Sequence, residues 1–377
     1  MHVQHRKRVV VLAALLFLLI SNIYPGFRSF NERCLWVVRN TMTDRQSIDR
    51  MVAFAKENGM NHLLIQVRGR GDAFYNSKLI PRSELLKNTS FDPLSYVIMK
   101  AHANGLKVHA WMNVYLIWSK IQDPISENHV FNSHPEWIDK NGNGQTSLFN
   151  NNNNMTGEGH YLAPHHPKVK QHLLSVFREI TALYDLDGLH LDYVRFHDNE
   201  YGNNTDARAA YFQNRYDQRK PIFNNSEKDS NQDWDDFRRA AITELVKDTK
   251  QMLLEVRPDC LLSAAVKPNL LSAKNRYFQE WDTWLAAGYI DWVMPMNYTS
   301  DLRKFADNID LIYENLPEKY RSRIMMGIAL YNQQPLDAVD KIYYSEITRF
   351  KGISFFSYNV VTEQPNYFKQ LKQSLKY

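Results

Sequence analysis

The stretch YDLDGLHLDYVRF, residues 184–196, places ionisable side chains in a run that otherwise has the composition of a buried strand. Successive side chains of a strand point to opposite faces, so Leu189 and Leu191 share one face and His190 and Asp192 share the other. The two leucines are expected to pack against helices. Asp192 is therefore predicted to lie on the inner face of a sheet, at the C-terminal end of its strand.

Seven further apolar runs resemble this one, which gives eight predicted strands: 34–39, 62–68, 107–113, 188–194, 260–267, 290–297, 323–330 and 352–358. Amphipathic segments lie between them. Their boundaries carry helix signals, namely a capping box at Thr43 and Gln46, Asp92 followed by Pro93, and Gly59 and Gly105 at helix ends. Eight strand–helix units predict parallel strands, and their simplest closure is a (β/α)8 TIM barrel of the α/β class.

An open doubly wound sheet is the competing arrangement. Such a sheet normally carries a glycine-rich turn after its first strand, whereas RNTMTDRQ, residues 39–46, contains no glycine. Two connections are long: residues 114–166 after the third strand and 197–235 after the fourth. Both follow strand C-termini, the face where barrel active sites are built, so they are predicted to wall a substrate cleft, with solvated and mobile Asn-rich tips.

The N-terminal segment differs from the rest of the chain. The formal charge is +5, but the first 30 residues contain no Asp or Glu and four of the basic residues, Arg6, Lys7, Arg8 and Arg28. The remainder carries 5 − 4 = +1, so no basic stripe is left to bind nucleic acid. Residues 9–20 are an unbroken apolar run after a basic stretch, which predicts a signal peptide or membrane anchor over 1–30, an uncleaved anchor being favoured, and a barrel over 31–377.

Cysteine and histidine usage argues against disulfide and metal chemistry. Cys34 and Cys260 begin the first and fifth strands, on opposite sides of a barrel, so both are expected to stay free. The 13 histidines show no H-E-x-x-H or comparable spacing. No metal and no cofactor are expected.

Strand alternation also predicts which side chains surround Asp192. Aromatic faces suit the C–H surfaces of sugars, and amide, guanidinium and carboxylate groups suit their hydroxyls. The strand ends offer such a set, and these residues are the candidates for substrate binding: Arg68, His109, Trp111, Asn113, His190, Arg195, Lys267, Asn297 and Tyr298.

Glycosidic hydrolysis needs two carboxyl groups, about 5–5.5 Å apart for retention and roughly 6.5–9.5 Å apart for inversion. Asp192 is the first candidate, as nucleophile, base or acid. The second stays open between Glu280 and Asp72, with Asp301 and Glu363 also following strands. Asp192 could instead serve only as an ion-pair partner of Arg68 or Arg195 that holds the barrel together.

A family resemblance extends over nearly the whole chain after residue 30. The segments that resemble motifs of glycosyl-hydrolase-like family 10 are, in order, CLWVVRN, NHLLIQVRGRGDAFYNSKLIP, GLKVHAWMNVY, HPEWID, YDLDGLHLDYVRF, WDTWLAAGYIDWVMPMNYTS, IMMGIALYN and GISFFSYNVV. The resemblance implies an exported or lipid-anchored bacterial barrel enzyme. It also implies a cell-envelope polysaccharide as substrate, since one branch cuts peptidoglycan glycan strands that lack stem peptides.

Two departures from related patterns motivate an alternative. The chain is also faintly similar to chitinase-type barrels, whose fourth strand ends in D-G-x-D-x-D-x-E, but Val194 stands where that pattern has its acidic Glu. Asn297 stands where many members of the closer family have Asp. The alternative hypothesis is therefore a non-catalytic, glycan-binding pseudoenzyme of the cell envelope on the same barrel.

Overall fold

The computed structural model describes residues 30–88, 90–147, 157–217, 227–348 and 350–375. Ten strands are present within these ranges: β1 (Glu32–Val37), β2 (His62–Arg68), β3 (Lys107–Asn113), β4 (Leu116–Trp118), β5 (His160–Tyr161), β6 (Gly188–Asp192), β7 (Leu261–Val266), β8 (Trp292–Pro295), β9 (Met325–Ala329) and β10 (Gly352–Phe356). Eight of them form one sheet in the order β8-β7-β6-β3-β2-β1-β10-β9, and every pair that the register defines is parallel.

The two edge strands of this sheet, β8 and β9, meet and nearly close it into a barrel. Val293 and Ile324 form a parallel bridge, and the Val293 N–H donates to the Arg323 carbonyl at 3.1 Å. The Arg323 side chain reinforces this seam by donating to the carbonyls of Asp291 and Leu285. The predicted TIM barrel is confirmed, and the open doubly wound sheet is not formed.

Helices cover the outside of the barrel and occupy its long connections: α1 (Arg45–Glu57), α2 (Pro93–Ala103), α3 (Val130–Ser133), α4 (Pro167–Leu183), α5 (Thr205–Asp217), α6 (Glu227–Val256), α7 (Leu270–Tyr277), α8 (Trp281–Ala287), α9 (Leu302–Asn315), α10 (Glu318–Arg321), α11 (Pro335–Ile347), α12 (Asn359–Glu363) and α13 (Tyr367–Ser374). Leu189 and Leu191 belong to the core between strands and helices, as alternation predicts.

Helix boundaries follow local chemistry, with one correction. The N-cap of α1 is Asp44, whose carboxylate accepts the Ser47 N–H at 2.9 Å, so the predicted capping box at Thr43 and Gln46 was wrong by one residue. Thr43 instead ends a short 3-10 turn. The prediction at Asp92 is confirmed, since its carboxylate accepts the Ser95 N–H at 3.1 Å.

The barrel interior is filled rather than hollow. One buried cluster inside the ring of strands consists of Cys34, Trp36, Leu64, Trp111, Ala265, Trp292, Met294 and Met325. Polar pairs share this space: His62 Nδ1 lies 2.8 Å from His109 Nε2, and His190 Nδ1 lies 2.8 Å from Ser263 Oγ. Both cysteines are free and buried, as expected.

Two further predictions fall on residues outside the described ranges. They are the signal or anchor segment over 1–30, nearly all of which lies before residue 30, and the Asn-rich loop tip at 150–154. Within the described part of the chain, no helix has the length and apolar character needed to cross a membrane.

Candidate active site at the C-terminal mouth of the barrel

Asp192 ends β6 and is held in place by two donors. Trp111 on the neighbouring strand β3 donates its indole N–H to Oδ2 at 3.0 Å, and the Tyr193 backbone N–H donates to Oδ1 at 2.8 Å. Tyr193 adopts a left-handed conformation, φ 52°, which is uncommon for a residue with a side chain and is typical of functional sites. Asp192 is 5% exposed. The parallel register of β3 and β6 therefore orients this carboxyl group.

Burial makes the Asp192 carboxyl group a weaker acid than an exposed aspartic acid side chain. Desolvation disfavours the carboxylate and raises its pKa to about 6, against the opposing effects of the Tyr193 N–H, the Arg195 charge and the Trp111 indole. A carboxyl group with this pKa retains its proton in mildly acidic solution. It can therefore donate that proton to a bound group, as a general acid does.

A second carboxylate, Glu158, lies near Asp192 and was missed at the sequence level. Arg195 Nη2 lies 2.9 and 2.6 Å from its two oxygens, and the Tyr161 hydroxyl also donates to it. Burial disfavours ionisation of Glu158, but the Arg195 charge and these hydrogen bonds together lower its pKa to about 2. Its negative charge in turn raises the pKa of Asp192. In mildly acidic solution the mouth therefore contains one protonated carboxyl group, Asp192, and one ionised carboxyl group, Glu158.

Several predicted binding residues surround this pair. Lys267 follows β7, and its ammonium lies 4.4 Å from the Tyr277 ring centroid. The same ammonium lies within electrostatic range of both carboxyl groups. Tyr298 follows β8; its buried hydroxyl has no hydrogen-bond partner among the described residues, and burial followed by the nearby Asp192 charge raises its pKa well above the usual value. The structure thus brings Asp192, Trp111, Arg195, Lys267 and Tyr298 together.

Four other predicted binding residues are buried and bonded within the protein. Arg68 is fully buried and donates to the carbonyls of Asn113 and Val114, while the Asn113 amide donates to the Gly69 carbonyl at 2.8 Å. These bonds tie the loops after β2 and β3 to each other. His109 and His190 lie fully buried in the barrel interior, and burial lowers the pKa of each ring.

Asn297 turns towards the helices rather than the mouth. Its amide donates to the Phe305 carbonyl at 2.9 Å and its side-chain oxygen accepts from Asn308 at 2.9 Å, both on α9. Tyr298, the next residue along the chain, is the one of these two whose side chain lies near Asp192.

The two sequence candidates for a second carboxyl group have other partners. Glu280 lies 2.9 Å from the Lys274 ammonium and 4.0 Å from the Arg239 guanidinium. Asp72 accepts the Arg70 backbone N–H at 3.2 Å, near the Arg39 guanidinium. In the described part of the chain, no contact joins either of them to Asp192. In that same part, no group of three or more His, Cys, Asp or Glu side chains is arranged to hold a metal ion.

Known proteins resemble this chain in sequence. The family model described as Glycosyl hydrolase-like 10 matches residues 31–345. Glycosyl hydrolase YngK of Bacillus subtilis is 26% identical over 278 residues, which are 68% of this chain and 49% of that protein. Glycosyl hydrolase DigH of Escherichia coli K12 is 24% identical over 304 residues, or 72% of this chain and 63% of that protein. The chain thus spans about half to two thirds of these relatives.

Solved structures show the same architecture. The glycoside hydrolase domain of PgaB (BpsB) from Bordetella bronchiseptica superposes with a TM-score of 0.68 at 12% identity, over 92% of this chain and 99% of that chain. The catalytic domain of β-amylase from Paenibacillus polymyxa superposes with a TM-score of 0.58 at 11% identity, over 91% and 98%. At these identities the likeness concerns the fold alone. The sequence match over residues 31–345 carries the assignment: the chain belongs to the Glycosyl hydrolase-like 10 family.

Proposed function

We propose that this protein hydrolyses glycosidic bonds in a bacterial cell-envelope polysaccharide, with peptidoglycan glycan strands lacking stem peptides as the first candidate. The observation that carries the proposal is the pair of Asp192 and Glu158, whose pKa values are moved in opposite directions, to about 6 and about 2. Two carboxyl groups with separated pKa values supply the acid and the carboxylate that glycosidases use. The family and the names of the curated relatives support the same reaction.

Asp192 is the proposed general acid. It carries the proton at mildly acidic pH and passes it to the glycosidic oxygen as the bond breaks. Its two bonded donors occupy two of the four lone-pair positions of the carboxyl group, which leaves room for the proton. Glu158 stays ionised and supplies negative charge opposite the developing positive charge on the sugar. Whether it acts as base or nucleophile is read from the anomeric configuration of the first product.

The remaining mouth residues are proposed to bind sugar. The Tyr298 hydroxyl is buried and without a partner among the described residues, so a sugar hydroxyl can bind it without displacing a protein group. Export to the envelope is part of the proposal, supported by the basic and apolar segment of residues 1–30, and that segment is the only part proposed to touch the membrane.

The low exposure of Asp192, 5%, favours a second candidate, a glycan-binding protein without catalysis. In that case the bonds from Trp111 and Tyr193 would hold Asp192 as a structural group beneath the binding surface. The two candidates differ in whether new reducing ends form.

The test uses the full-length protein with peptide-free peptidoglycan strands and with chitin. New reducing ends are expected from the wild type, and a loss of about 100-fold or more from Asp192→Asn and from Glu158→Gln. Glu127→Gln, an exposed acid on the loop before α3, is the matched control and should keep full activity. Cleavage that survives Asp192→Asn would contradict the proposed acid. Saturable binding without cleavage by the wild type would establish the second candidate.

A further inference from the structure

Three cations surround the ring of Tyr277 at one side of the mouth. The Lys267 ammonium lies 4.4 Å from the ring centroid, the Arg195 guanidinium carbon 5.1 Å and the Arg276 guanidinium carbon 5.4 Å. Arg195 is paired with Glu158. Arg276 is paired with a carboxylate outside this cluster, at 2.5 Å. Lys267 alone has no ion-pair partner among the residues that the structure describes.

Lys267 is also half-buried, and this makes its unpaired state costly. Desolvation, followed by repulsion from Arg195, lowers its pKa to about 8. The charges that face it are Arg195 and Arg276 on the positive side, and Glu158 and Asp192 on the negative side. Glu158 is already committed to Arg195, and Asp192 is largely protonated below pH 6. A bound anion would therefore complete this site.

A second unpaired cation lies on another side of Asp192. Arg39 follows β1, three strands away from β6 in the sheet, and its guanidinium donates to the Gln66 side chain at 2.9 Å. It has no ion-pair partner in the described part of the chain and lies within electrostatic range of Tyr193, the residue after Asp192. Burial, and then the nearby Arg70, lowers its pKa.

The local sequence makes room for this guanidinium. A Cβ atom at Gly69 would lie 2.6 Å from Arg39 Nη1 and 2.8 Å from Arg39 Cδ, which is closer than real contacts of this kind. Arg39 therefore lies directly over the Gly69 backbone. Asp72 is the carboxylate in electrostatic range of both Arg39 and Arg70, so positive charge is in excess on this side as well.

We propose that the mouth recognises a glycan that carries carboxylate groups, with Lys267 binding one carboxylate and Arg39 another on a different side of Asp192. This inference rests on the proposed function and narrows its substrate class to acidic glycans. The carboxylate can be the lactyl group of muramic acid, which is free once the stem peptide is gone, or that of a uronic acid. Lys267 and Arg39 are then specificity-determining residues.

The experiment compares kcat/KM of the full-length protein on three substrates: peptide-free peptidoglycan strands, the same strands with their carboxyl groups reduced to alcohols, and polygalacturonate. The wild type is expected to prefer unreduced over reduced strands by about tenfold or more. Cleavage of polygalacturonate would assign uronic acids as the carboxylate source, and a preference for unreduced over reduced strands would assign the lactyl group.

Three variants and one control test whether Lys267 and Arg39 cause the preference for unreduced strands. Lys267→Met should lose about tenfold or more on unreduced strands and little on reduced strands, and Lys267→Arg should restore part of the loss. Gly69→Ala should displace the Arg39 guanidinium and give the same pattern without removing a charge. Lys304→Met, an equal charge change at an exposed site on α9, should leave both rates unchanged. Thermal unfolding verifies that each variant is folded.

The outcomes separate this inference from the proposed function. If the wild type cuts reduced and unreduced strands equally well, or if Lys267→Met lowers both rates alike, the carboxylate inference is wrong while the glycosidase proposal stands. If no strand is cut, the glycosidase proposal fails, and calorimetric binding decides the inference. Tighter binding of unreduced strands that Lys267→Met abolishes would support it, and equal binding would overturn it.

Discussion

At the scale of single residues, the protonation of Asp192 predicts how activity depends on pH. A general acid works only while protonated, and the pKa of this carboxyl is about 6 because burial raises it. We therefore expect kcat/KM to be level in mildly acidic solution and to fall tenfold per pH unit above about pH 6. The ionisation of Glu158, with a pKa of about 2, sets a limit only in strong acid.

Trp111→Phe tests this assignment. The indole N–H stabilises the carboxylate form of Asp192, so its removal should raise the pKa and move the alkaline limb of the pH profile to higher pH. Trp118→Phe is the control, because that indole donates at 2.7 Å to a backbone carbonyl, that of Gln122. A limb that stays in place or moves to lower pH in Trp111→Phe would contradict the role of Asp192.

The sequence predicted the positions of some residues of the candidate site but not of others. Alternation along the two neighbouring strands brings Asp192 and Trp111 to one end of the barrel, and the hydrogen bond of 3.0 Å between them confirms their contact. Glu158 could not be placed, since it lies on a long loop where no periodicity constrains direction. The available signal was weak: Glu158 is the only acidic residue of segment 140–166. The direction of the Asn297 side chain could not be predicted, because the alternation of side chains is not reliable where a strand ends.

At the scale of elements, two helix N-caps differ in the number of hydrogen bonds that their side chains accept. Asp92 caps α2 and also accepts the Tyr184 hydroxyl at 2.8 Å. Among the described residues, the cap of α1, Asp44, bonds only within its own first turn. Asp44→Ala should lower the free energy of unfolding by about 1 kcal/mol and Asp92→Ala by about 2 kcal/mol. Urea denaturation of both variants measures the difference. Equal losses would mean that the Tyr184 bond contributes nothing.

Strand β6 needs a glycine at its first position. A Cβ atom at Gly188 would overlap with the His109 ring inside the barrel. We expect Gly188→Ala to lower the free energy of unfolding by about 1–3 kcal/mol, since an overpacked interior forces side chains out of their preferred rotamers. Gly142→Ala is the control, because nothing lies within 4 Å of its added Cβ, and its effect should stay within about 0.5 kcal/mol. A tolerated Gly188→Ala would show that the His109 ring can move.

Most elements were predictable because they are long and periodic. The eight barrel strands and the helices between them carry regular apolar patterns that local start and stop signals reinforce. The antiparallel pair β4 and β5 was missed, since strands of two and three residues are too short to show a period. The boundary of α1 was displaced by one residue because Asp44, beside Thr43, offers the better acceptor.

At the scale of the whole molecule, the barrel has one weak seam. Among the described residues, one bridge joins Val293 of β8 to Ile324, the residue before β9. The Arg323 side chain donates across it to the carbonyls of Asp291, Leu285 and Ile290. Arg323→Met should lower the free energy of unfolding by about 3 kcal/mol. It should also accelerate hydrogen exchange selectively in β8 and β9. Arg303→Met, at an exposed position on α9, should do neither, and uniform exchange in Arg323→Met would argue against a local seam.

The count of units predicted closure, but the position of the seam required coordinates. Eight strand–helix units predict a barrel, but they do not predict which pair of neighbouring strands shares the fewest hydrogen bonds. The hydrogen bonding between β8 and β9 depends on how the short turn before β9 packs against Trp292 and its neighbours. No sequence pattern predicts that contact.

The packed interior has a consequence for how a polymer can approach. Trp36 and Trp292 block the axis together with the hydrogen-bonded His62 and His109, so no sugar chain can thread from one end of the barrel to the other. Under the proposed function, a long glycan would therefore enter and leave by the mouth of the barrel alone. Both fragments of a cut strand would then be released on the side from which the strand arrived.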